Sequence, residues 1–141
     1  LGGSAGSDEG LESFLPRHNL GHVELRRGNT KAAAPLFRAC LVCAVRDGNR
    51  IFVALGLAGL GGVAAAEARP CRAGRLFGTA DALLRTENFV FDLTDQQDWD
   101  RNVAMARSQL DEATWDAAWA EGAAMTEEQA VGFVMAGDDE V

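Results

Sequence analysis

The chain repeats itself at an offset of forty positions: Leu20, Gly21, Val23, Ala33, Leu36 and Phe37 return as Leu60, Gly61, Val63, Ala73, Leu76 and Phe77. An offset that keeps a Leu-Gly pair, a small residue and an aromatic identifies two copies of one supersecondary unit. Within each copy the spacing is helical. Ser13 is expected to cap a helix over residues 14–27, with Pro16 in its first turn and Gly28-Asn29 as its stop. Thr30 is expected to cap a second, whose stripe Ala33, Leu36, Phe37, Cys40, Leu41 and Ala44 ends at Asp47-Gly48. So short a connection makes the two helices antiparallel neighbours.

The second copy reads the same way. Asn49 caps a helix over residues 50–68 that is apolar on almost every face and is expected to be the most buried; its Ala54, Ala58, Gly62 and Ala66 form a ridge that a neighbour can approach closely. Pro70 opens a fourth helix carrying Ala73, Leu76, Phe77, Ala80 and Leu84. Phe89, Val90, Phe91 and Leu93 are expected to seal the end of the repeat core. Two capping boxes, Thr94-x-x-Gln97 and Thr126-x-x-Gln129, then mark further helices. The organisation is therefore helix pairs over 13–88 and capping helices of the same domain over 89–136. Residues 1–12, which start at Leu1 and run through Gly and Ser, are expected to be a flexible linker or the remnant of an excised fragment, and 137–141 a disordered acidic tail.

Composition limits the function classes. With 48% hydrophobic residues, three prolines and no tyrosine, packed helices are favoured over sheets, and the expected class is all-α. A net charge of -8 argues against a nucleic-acid or anionic-membrane binder. That charge is unevenly placed: residues 17–87 hold eleven basic and five acidic side chains, residues 88–141 two and thirteen. The halves can attract each other internally, present opposite faces to partners, or simply be solvated. Three cysteines, an odd number, with no segment that reads as a signal peptide, fit a reducing, cytoplasmic setting. The longest uncharged run, residues 51–66, is short of a bilayer span and contains four glycines, so no membrane contact is expected.

Leu20-Gly21, Ala33, Phe37 and Cys40, and then Leu60-Gly61, Ala73, Phe77 and Ala80, resemble the middle of the tetratricopeptide repeat, with a period of forty instead of about thirty-four. The order Ala33-Ala34-Pro35-Leu36-Phe37, the run from Arg75 to Leu84, and Trp115, Trp119 and Met125-Thr126 together resemble the C-terminal helical region of bacterial MalT- and LuxR-type transcriptional regulators and related signalling ATPases. The resemblance implies antiparallel helix pairs stacked as a tetratricopeptide-like superhelix with a C-terminal helical cap. It also implies a non-catalytic interaction or scaffold module of a bacterial regulator, without a cofactor. The partner would be a protein segment or regulatory domain of the parent chain, or a small-molecule inducer. The alternatives are an inducer-sensing domain or a dimerisation element forming a homodimer. No Gly-x-x-x-x-Gly-Lys-Ser/Thr phosphate loop is present.

Candidate sites follow from helical spacing. His18, His22 and Arg26 form a row on the face away from Leu20, expected to line a concave partner-binding groove. Two histidines at i and i+4 can share a metal, but a third ligand is needed and Glu24 points elsewhere, so no metal is expected. Cys40-Leu41-Val42-Cys43 lies within a helix instead of at a helix start and reads as core thiols. Trp99, Trp115 and Trp119 can close a core or form the wall of a ligand site. No nucleophile, base and orienting acid can be assembled, so no enzyme is expected.

Overall fold

The computed structural model describes residues 2–136, with side chains described from Phe14 onward. The expected acidic tail, 137–141, lies outside the described residues. Seven helices and no strand are found among those residues: α1 (Gly2–Arg26), α2 (Thr30–Asp47), α3 (Arg50–Ala66), α4 (Pro70–Thr86), α5 (Leu93–Arg107), α6 (Glu112–Ala123) and α7 (Glu127–Met135). Among the described residues no helix is long and apolar enough to cross a membrane.

The stop signals act as their chemistry dictates. Gly28 and Gly48 take φ of +79° and +66°, the left-handed turn that frees the chain to reverse after α1 and α2. Asn49 caps α3 by accepting from Phe52 N–H at 3.0 Å, and Thr126 with Gln129 forms the expected capping box on α7. Three helix starts differ from expectation. α1 begins at Gly2, so Ser13 does not cap it and Pro16 lies inside it; residues 2–12 continue a helix where a flexible linker was expected. Thr30 is the first residue of α2, after an Asn29 that makes no side-chain cap. In α5 the cap is Asp92, which accepts from Asp95 N–H, while the expected Thr94 lies inside the first turn of the helix.

α1 packs on α2 and α3 on α4, and α2 lies against α3. The repeat is visible atom by atom. A Cβ on Gly21 would meet the Phe37 ring at 2.8 Å, and one on Gly61 would meet the Phe77 ring at 3.1 Å, so each Leu-Gly pair is the seat of its own aromatic. α3 is buried along almost its whole length, from Val53 to Ala65 apart from Ala58. Its small-residue ridge does admit neighbours: Gly62 lies under Leu25 and Asn102, whereas Ala66 at the ridge's end is exposed.

The helices after residue 88 are not arranged as another such pair. α6 packs on α4 as closely as α3 does, α5 lies across α3 and α4, and α5 meets α6 through side chains, the Trp99 and Trp119 rings 6.4 Å apart and the Arg107–Glu112 ion pair. α7 reaches both α3 and α4. The connector seals the core with only half of its side chains, for Phe89 and Phe91 pack inward while Val90 and Leu93 project into solvent.

Glycines make the α4–α6 contact. A Cβ on Gly78 would overlap the Trp119 carbonyl, and one on Gly122 would overlap the Arg75 carbonyl, so the two backbones touch. Thr79 Oγ1 donates to Gly122 O at 2.6 Å across the same seam. Gly122→Ala is therefore expected to cost about 2–3 kcal/mol, the upper end of the overpacking range, because backbone cannot rotate away as a side chain can. Urea denaturation measures it, and a neutral result would mean the helices are further apart.

Candidate functional site

α1 turns one continuous stripe inward: Phe14, His18, Gly21, His22 and Leu25. His18 is only 4% exposed, with its ring 5.1 Å from Phe14 and 4.6 Å from His22, and His22 in turn meets Phe37 at 4.9 Å. Leu20, on the other side, is 49% exposed. The row His18, His22, Arg26 thus exists, but the expected open groove does not: α5 fills it.

α5 recognises that row with a polar stripe of its own. Asp98, almost fully buried, accepts from Arg26 Nη1 at 2.9 Å on each carboxylate oxygen and also from Arg101. Asn102 is buried over Gly62, and Gln109 Nε2 donates to Ala65 O at 3.0 Å. Asp95, 3.9 Å from His18 Nε2, Asp98 and Asn102 recur at the three- and four-residue spacing of one face of α5, and Gln109 lies just beyond its end. The basic half and the acidic half of the chain therefore meet here, as they do at Arg75–Glu121 and Arg50–Glu127.

Protonation follows from burial. Desolvation pushes both histidines down to about 4, His22's effect on His18 adding to it, and the nearby Asp98 offsets only a fraction of the loss. Burial also pushes the Asp98 carboxyl up, yet hydrogen bonds from Arg26 and Arg101 outweigh it and hold Asp98 below the usual carboxylate value. Burial with the neighbouring Asp92 and Asp98 raises Asp95. Asp98 approaches His22 Nδ1 at 3.7 Å, outside hydrogen-bond distance, and neither ring's Nδ1 has a hydrogen-bond partner among the described residues.

The rings border a cavity of about 20 Å³ with Asp95, Trp99 and Asn102, room for about one water molecule and no organic ligand. Among the described residues no three His, Cys, Asp or Glu side chains are placed to hold one metal ion. The carboxylate best aimed at the pair, Asp98, is already held by two guanidinium groups.

The other candidates separate. Cys40 and Cys43 are buried free thiols, and burial pushes Cys40 up to about 12, which leaves it unreactive. Trp115 is buried, and Trp99 and Trp119 are partly so, linked in an aromatic chain from Phe77 to Trp115. Where α5 and α6 splay, Trp115 and Trp119 also border an open cleft of about 240 Å³ with Val103, Arg107 and Asp116. Sequence reasoning missed Asp95, Asp98 and Asn102, although their i, i+3, i+7 spacing marks a helix face. No protein family, curated protein or solved structure matches the chain.

Proposed function

We propose that this chain is a non-catalytic helical-repeat interaction module of a bacterial regulatory protein, stacking tetratricopeptide-like pairs so that their inner face holds a helix. One observation carries the reading: Arg26, at the end of the row His18, His22, Arg26, holds the buried Asp98 of α5 by a hydrogen bond to each carboxylate oxygen. An inner face that reads an acidic side chain and an Asn on one helix has the chemistry to read a similar helix from a partner or from the parent chain. α5 then acts as the resident occupant.

A labelled peptide of residues 93–107 tests this by fluorescence anisotropy. The unaltered chain, with its own α5 seated, is expected to ignore the peptide, whereas the Asp98→Ala variant binds it and adding Arg26→Glu abolishes binding. Failure of Asp98→Ala, shown folded by circular dichroism, to bind would remove helix recognition from this face.

The cleft between α5 and α6 favours a second reading, a sensor for a planar inducer against Trp115 and Trp119. Saturable quenching of tryptophan emission by such a compound, lost in Trp119→Leu, supports it; purely collisional quenching removes it.

A further inference from the structure

The amino ends of α2 and α4, forty residues apart in sequence, come together beside one cavity of about 220 Å³. Thr30 and Lys31 from α2 and Arg69 and Arg72 from α4 line it, together with Arg38 further along α2. Leu60, Val63, Ala64 and Val134 add apolar surface. Lys31, Arg38, Arg69 and Arg72 and the carboxylate of Glu67 are among its lining, a basic set in a chain whose net charge is -8.

Both amino ends lack a side-chain cap. Asn29 donates to Glu24 instead, and Arg69-Pro70 offers no acceptor, whereas α3, α5, α6 and α7 are capped by Asn49, Asp92, Asp111 and Thr126. Both amino ends border the cavity, and the first-turn N–H groups of a helix suit an oxyanion. Arg72 gives the site a fixed wall: it is 5% exposed and lies 4.6 Å over the Phe133 ring. Arg38, Arg69 and Arg72 also make contacts within the fold, but a guanidinium has five donors and serves more than one acceptor.

We propose that this cavity binds a small, multiply charged oxyanion with a short apolar portion, the class that includes phosphate esters and dicarboxylates. The site is separate from the α1–α5 seat and does not depend on its function. The oxyanion lies between the two helix amino ends, with Lys31 and Arg38 at the rim and the apolar portion against Leu60 and Val63.

The test is a titration of the full chain with inorganic phosphate and with succinate, at constant ionic strength set with chloride, read by amide nuclear magnetic resonance shifts. Saturable shifts at Lys31, Cys71 and Arg72 are expected with either probe and none with chloride. Lys31→Gln should weaken binding roughly five-fold, and Lys31→Gln with Arg38→Gln further, without altering the melt of the unliganded chain. Because Lys31 is exposed, its single variant reads the site even if the double variant fails to fold. A response equal to chloride's, or one unchanged in Lys31→Gln, overturns the proposal. So does saturation by a pentapeptide of residues 137–141 while phosphate and succinate stay silent, which would make the cavity a surface for acidic peptides.

Discussion

Lowering the pH from 7 to 4 destabilises the fold by about 3 kcal/mol for each of His18 and His22. Both imidazoles titrate near 6.5 in the unfolded chain and are pushed down to about 4 by burial in the fold. Between those values the unfolded chain binds more protons, so stability is full above 6.5 and falls as the pH drops toward 4. Asp98, held low by Arg26 and Arg101, keeps its contribution across this window, and Asp95, raised by burial, opposes the loss only weakly. Urea midpoints at successive pH values measure the slope. In His18→Phe with His22→Leu the slope between 6.5 and 4 should largely vanish; an unchanged slope would assign the acid sensitivity elsewhere.

Phe37→Ala removes about 3–5 kcal/mol, a large share of the stability of a domain this size. The side chain is 0% exposed, touches the Gly21 and Gly59 backbones, and carries the ring of His22 at 4.9 Å. It joins α1, α2 and α3 at one point, and the glycines that receive it cannot fill the void it leaves. Denaturant unfolding gives the value. A loss below about 1 kcal/mol would mean that the ring is not the shared centre of the first pair.

The forty-residue offset makes the helix pairs legible because local spacing and turn chemistry define both. Gly48, Asn49 and Pro70 stand where the structure needs a left-handed turn, a side-chain cap and a first-turn proline. The facing of α1 is harder to read. Leu20 corresponds to Leu60, yet Leu60 is 6% exposed because α3 has α2 on that side, while α1 has no such neighbour among the described residues. The histidines read as the lining of a groove on the face away from Leu20, but with Phe14 and Leu25 they form the buried stripe. α5 is obscure for a related reason: its Trp99, Val103, Ala106 and Leu110 point to one packing face, and the polar stripe beside it has meaning only once Arg26 and Gly62 lie opposite. Pairings between elements so far apart in sequence leave no periodic trace. The α4–α6 seam is of the same kind, for nothing local to Gly78 or Gly122 announces the backbone it meets.

α4 touches α3, α5, α6 and α7, and its glycines leave no gap toward α6. Helical arrays commonly grow or shrink by whole units, because each unit meets only its neighbours. At α4 such an insertion would have to pull apart a pair of backbones already in contact and dissolve the Thr79–Gly122 hydrogen bond. Insertion of a further pair at this junction would therefore cost the close contact that fixes α6 on α4.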